Sequence, residues 1–199
     1  ACRAIKAALD DCPREDHRHG IIHDCLPTPE GIQICRDYHI QMPMQSAFIG
    51  WKQEPDDYLE HILGHDRLEK LNPIKTFRDN DIMVSFGSDA PCTTPDPIVW
   101  MDRAVNNDNA GQAVSVQDAL RMCTYNGAWA AFDEQERGSL EAGKIADMAV
   151  LSENPYTVPK DKIKDIRVER LYLSGKSYES CRESILPMML RGLTSRNKA

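Results

Sequence analysis

The sequence predicts an α/β protein built on a parallel sheet. Short apolar runs of strand length alternate with segments of helical spacing, and the clearest run, Ile82-Met83-Val84-Ser85-Phe86, stops at Gly87. Alternation of this kind marks βα units, whose strands lie parallel and are covered by helices. The balance is that of a globular chain: 199 residues, 41% apolar and 28% charged.

The elements follow in order. Residues 4–9 form the end of a helix, closed by a polar stretch. Ile21-Ile22 is a short buried strand ending near His23. Thr28 caps the next helix with Pro29 at its first turn, and Ile32, Ile34, Cys35 and Tyr38 carry it to His39. Residues 40–49 read as a strand, residues 58–71 as a helix, and residues 74–78 as the start of another. After the 82–86 strand, Ser115 caps a helix running to about Phe132, with Asp118 three residues on. From Gly138 the chain becomes turn-rich. Residues 146–151 then form a strand, and residues 168–173 pair with those after a Ser174-Gly175-Lys176 turn as a hairpin. These shifts divide the chain into 1–137, a strand module over 138–180, and a tail over 181–199 with a helix at 185–193.

Several function classes are disfavoured. A formal net charge of −7, with basic residues scattered among acids, is wrong for a nucleic-acid surface. No apolar run approaches the roughly 20 residues needed to span a bilayer. The seven cysteines are odd in number and show no CxxC pair, which points to a reducing cytoplasm.

Chemistry concentrates at strand ends. In a parallel sheet, polar residues just past a strand's carboxyl end face the functional crevice. Asp89 in Gly87-Ser88-Asp89-Ala90-Pro91 has that position; Gly87 permits close backbone approach and Pro91 stiffens the exit. An acid there can bind a metal or take a proton from water. Spacing alone equally allows an Asx turn or a helix cap. His23 is the second candidate, although a structural hydrogen-bonding role competes. His17 and His19 read as solvated loop histidines, and His61 and His65 as surface histidines without the acid of an HExxH site.

These residues resemble the amidohydrolase superfamily, in its YtcJ-like (amidohydrolase 3) branch, which includes N-substituted formamide deformylases. Arg18-His19-Gly20-Ile21-Ile22-His23 is similar to the strand-six segment, and Met42-Pro43-Met44-Gln45-Ser46 stands at the strand-seven Gln-Pro. Gly87-Ser88-Asp89-Ala90-Pro91 resembles the strand-eight motif, and the run Gly138-Ser139-Leu140-Glu141-Ala142-Gly143-Lys144-Ile145-Ala146-Asp147 the lead into a small β-sandwich. The resemblance implies the last three βα units of a TIM barrel followed by C-terminal sandwich strands. It implies one or two divalent metals, zinc above all, and a small amide-like substrate whose C–N bond is hydrolysed. His23 would be a metal ligand. Asp89 would be both ligand and catalytic base, returning its proton to the leaving amine.

The family's His-x-His pair, bridging residue and strand-five His have no counterpart, and Ile22 and Ser46 replace a Glu and a Pro. Three βα units cannot close an eight-stranded barrel. The chain therefore reads as one piece of a longer polypeptide, or as a subunit whose oligomeric partner supplies the missing half. Two other readings are a non-catalytic amidohydrolase-like remnant and an unrelated small α/β protein using His61 and His65.

Overall fold

A computed structural model describes residues 1–178. Three parallel segments lie side by side, each followed by helices. The first, 19–23, is held by a bridge between Gly20 and Gln41. Ile21 N–H donates to Gln41 O at 3.0 Å, and His23 N–H to Pro43 O at 3.3 Å. The middle strand β1 (Met42–Met44) pairs on its far side with β2 (Val84–Phe86), Met42 opposite Val84 and Met44 opposite Phe86. Order in space follows order in sequence, as successive βα units arrange it.

Helix α1 (Cys2–Asp11) precedes the sheet, and α2 (Pro29–Asp37) links the first segment to β1. The Thr28 hydroxyl accepts from Gly31 N–H at 3.1 Å and Pro29 opens the helix, as its sequence dictates. Between β1 and β2 come α3 (Asp56–Leu63), α4 (His65–Leu68) and α5 (Ile74–Asp79). After β2 come α6 (Pro97–Val105), α7 (Val116–Cys123) and α8 (Tyr125–Ala130).

Met42, Met44 and Val84 are buried in one cluster with Ile40, which precedes β1, and with Cys35, Ile74, Phe77, Ala119 and Met122 from the helical layer. Side chains alternate along a strand, so Pro43 and Gln45 take the opposite face of β1. Asn126 on α8 donates from Nδ2 to Val84 O at 2.7 Å. A side-chain amide thus satisfies part of the outer edge of β2, where a further strand would otherwise pair.

Beyond Gly138, β3 (Met148–Leu151), β4 (Val168–Leu173) and β5 (Lys176–Tyr178) form an antiparallel sheet in that order. The β4–β5 turn has Ser174 at φ +51 and Gly175 at φ +74, the paired positive angles of a tight hairpin. Ile163 and Ile166, between β3 and β4, enter the same core as β1 and β2. Val150, Val168, Leu173 and Tyr178 leave apolar surface of this sheet exposed.

Several expected elements are shorter than their apolar patterns. The 40–49 strand ends at Met44 and becomes a 3₁₀ turn at Ser46–Phe48, where the Ser46 hydroxyl donates to Trp100 O at 2.9 Å. The 58–71 helix breaks at Gly64, whose φ of +79 no helix accommodates. The helix from Ser115 breaks at Thr124 (φ −126, ψ −90) into α7 and α8. Ile22, expected to be buried, is 61% exposed because its neighbour Ile21 takes the side packed on the core. The tail over 181–199, with its expected helix, and the last two residues of the 138–180 segment lie outside the described residues.

Candidate metal and catalytic site

His23 closes the first outer segment and Asp89 lies three residues beyond the other outer strand, β2, so the two flank β1 at the carboxyl end of the sheet. Neighbouring strands run about 4.8 Å apart, so outer strands stand roughly 10 Å apart. Their side chains nevertheless meet: His23 Nε2 is 3.5 Å from Asp89 Oδ2. Each backbone turns to allow it, His23 at φ +61 and Asp89 at φ +53. Left-handed backbone at a residue other than glycine costs about 1–3 kcal/mol and gathers at functional sites. Sequence placed both residues at strand ends; the structure brings them together.

At 3.5 Å the pair is longer than a good hydrogen bond. The spacing suits a shared ion instead. Two ligands about 2.0–2.1 Å from a tetrahedral zinc stand about 3.3–3.4 Å apart. Imidazole nitrogen with carboxylate oxygen is a donor set that zinc takes, and the side chains keep 39% and 44% of their surface exposed, open to a ligand. Among the described residues no group of three His, Cys, Asp or Glu completes a metal site. The two residues fit a divalent metal as part of a ligand set.

The 3₁₀ turn after β1 supplies the wall. Phe48 meets the His23 ring edge-on at 5.6 Å and the Trp51 ring at 4.8 Å, which fixes the imidazole. On the Asp89 side, Ser88 Oγ accepts from Ala90 N–H at 3.1 Å and Asp89 O from Cys92 N–H at 2.8 Å. Thr93 Oγ1 also donates to Ser88 O, and the Ala90–Pro91 peptide is cis. The loop is thereby held from both ends. Beside His23, burial raises the Asp24 carboxyl above the ordinary carboxylate range. Burial, aided by the charges of Asp24 and Glu54, pushes the Cys25 thiol up to about 11.

The other histidines are elsewhere. His17 Nε2 is 2.8 Å from Tyr38 O, its Nδ1 accepts from His19 N–H at 2.9 Å, and the two rings stack. They sit at the entry of the first segment, the end opposite His23. His65 contacts Glu60 at 3.0 Å and Glu69 at 3.4 Å, while His61 belongs to the helix before the Gly64 break. The i,i+4 spacing of His61 and His65 therefore does not fall on one helix.

Sequence reasoning missed Arg18. Its guanidinium lies between the rings of Trp129 (4.5 Å) and Phe132 (4.2 Å) and binds both carboxylate oxygens of Glu134 at 2.7 Å. Asp16 completes the cluster. These contacts pull the Glu134 carboxyl down to about 2. The clamp ties the segment leading to His23 to the end of α8. Apart from Asp16, its partners are more than a hundred residues away in sequence, so no local pattern could have revealed the clamp.

The model of a family described as the Amidohydrolase family matches residues 1–178. An N-substituted formamide deformylase from Arthrobacter pascens is 32% identical over 152 residues, 73% of this chain and 26% of that protein. A putative amidohydrolase, YtcJ, from Bacillus subtilis strain 168 is 24% identical over 88% of this chain and 35% of its own length. An adenosine deaminase from Xanthomonas campestris, solved with bound zinc, superposes with a TM-score of 0.62 at 18% identity, over 96% of this chain and 44% of that one. This chain thus spans about a quarter to a third of the length of these two curated relatives.

Proposed function

Because the chain belongs to the amidohydrolase family, in its YtcJ-like branch, we propose that it is part of a metal-dependent hydrolase that cleaves a C–N bond in a small amide-like molecule. The observation that carries this is the approach of His23 Nε2 and Asp89 Oδ2 to 3.5 Å across the end of β1. In this reading the three parallel strands are the last three of a TIM barrel, and β3–β5 belong to a β-sandwich after a boundary near residue 137. The remaining strands and ligands come from the rest of a longer chain or from a partner. No helix among the described residues is long and apolar enough to cross a membrane. The six cysteines among the described residues are free, which suits a reducing, cytoplasmic setting.

His23 and Asp89 would hold one divalent metal, zinc by preference. Bound there, the metal supplies Lewis-acid polarisation and a water acidic enough to react near neutral pH. The chain's own residues do the rest. His23 is fixed by the Phe48 ring and presents Nε2 as a ligand. Asp89 is the base: its carboxylate takes a proton from the attacking water and returns it to the leaving nitrogen as the C–N bond breaks. Among the described residues its close ionic partner is His23, so the carboxylate stays available for that exchange.

The test compares the intact protein with Asp89→Asn for metal content and for hydrolysis of N-formyl and other amides. A fall in turnover of at least about 10²-fold is expected. Unchanged turnover would remove Asp89 from the mechanism, and an intact protein that neither holds metal nor hydrolyses amides would remove the reading itself.

A further inference from the structure

Gln45 directly follows β1, the strand over which His23 and Asp89 meet. It is only 8% exposed. Its Nε2 donates to Pro43 O at 3.3 Å, the same carbonyl that takes the His23 N–H. Its Oε1 is buried and accepts no hydrogen bond from the described residues. A buried amide oxygen without a donor is expensive, and such exceptions call for an explanation. Rotating the amide gives no escape, since it would set oxygen against the Pro43 carbonyl.

Space adjoins this amide on the Asp89 side. A carbon added at Gly87 would stand 3.8 Å from Gln45 Nε2 and, its chain neighbours aside, within 4 Å of nothing else among the described residues. Gln41 also leaves its Oε1 unpartnered, but at the other end of β1. Gln45 therefore carries an acceptor without a donor at the end of the sheet where His23 and Asp89 meet, its amide sharing the Pro43 carbonyl with His23 N–H.

We propose that Gln45 is a substrate-positioning residue whose Oε1 accepts the N–H of a secondary amide at the bond to be cleaved. The proposal rests on the amide-hydrolysing reading of the site. Its chemistry is orientational. As water adds to the carbonyl carbon, the nitrogen becomes pyramidal and gains a lone pair. With its N–H held by Gln45, that lone pair is directed away from β1 and toward Asp89. The nitrogen takes the proton from Asp89, keeps the electron pair of the breaking C–N bond, and leaves as a neutral primary amine. A substrate with no N–H, such as an ester, gains nothing from Gln45.

The experiment uses the intact, metal-loaded protein with an N-alkylformamide and the matching alkyl formate, in which oxygen replaces N–H. Gln45→Met keeps the volume and removes the oxygen; Gln45→Glu keeps an acceptor. Gln45→Met should lower kcat/KM for the formamide by about 10- to 100-fold and leave the formate within about threefold. Its Tm should hold or rise, because an unpaired buried oxygen is gone. Gln45→Glu should recover part of the amide rate. Equal losses on both substrates, no loss on either, or a Gln45→Met protein that unfolds would each overturn the proposal. Wild-type protein that hydrolyses the formate alone would overturn the amide reading before any variant is made.

Discussion

Replacing Gly138 with alanine puts a carbon 2.5 Å from Ala128 Cβ and 3.1 Å from Tyr125 Cα, at a backbone φ of +88. Two penalties combine there. A side chain at positive φ costs roughly 1–3 kcal/mol, and pressing a carbon into the packed turn of α8 adds about 1–3 kcal/mol. Restricting the unfolded chain returns about 0.4–1 kcal/mol. Gly143, five residues on, is the internal control, since its φ is +97 but no atom lies within 4 Å of the added carbon. Gly143→Ala therefore carries the conformational penalty without the steric one. The two variants should differ by about 1–3 kcal/mol, and at about 2–4 °C per kcal/mol for a chain of this size Gly138→Ala should melt about 2–12 °C below Gly143→Ala. Thermal unfolding followed by circular dichroism reads this directly. Equal melting temperatures would mean that Gly138 is not packed against α8, and the steric argument would be wrong.

Three further outcomes are expected. Phe77 is fully buried beneath the parallel sheet, so Phe77→Ala should cost about 3–5 kcal/mol in denaturant unfolding; a loss below about 1 kcal/mol would contradict its place in the core. The Glu134 carboxyl, held by Arg18 at about 2 against an ordinary 4.5, contributes stability that is complete above pH 4.5 and lost as the pH falls toward 2. Glu134→Gln should flatten the acid-unfolding curve in that window, and an unchanged curve would refute the coupling. Cys12 and Cys92 are exposed, whereas burial pushes the Cys35 and Cys123 thiols up to about 12. Mapped alkylation should label the first pair in the folded protein and the second only after unfolding.

The parts legible in sequence were those encoded locally. Thr28-Pro29 and Ser115 act as caps because a hydroxyl one residue before a helix meets its first free N–H groups. Asp96-Pro97 caps α6 in the same way, with a carboxylate in place of the hydroxyl, in a stretch whose several prolines obscure the helical pattern. The strand ending at Gly87 gave Asp89, and Ile21-Ile22 gave His23, because strand ends in parallel sheets face the crevice. Burial was less legible. Ile22 and Ile21 have the same composition and opposite fates, decided by which face the pleat presents. The strand expected over 40–49 failed at Ser46, where a contact with Trp100, far along the chain, redirects the backbone. Arg18 and Gln45 stood within the family-like segments but with no role attached, since the main partners of one are distant and the significance of the other lies in a missing partner.

The meeting of His23 and Asp89 also has a mechanical consequence. Anything that grips both side chains turns everything from Asp24 to Ser88 into a closed loop, with β1, α2 and α5 inside it. Such a grip acts on the unfolded chain as a cross-link does, removing the freedom of a long loop. Opening the sheet would then cost more for as long as the ligand is held. If the ligand is a metal, a chelator would thus lower the stability of the parallel sheet as well as empty the site.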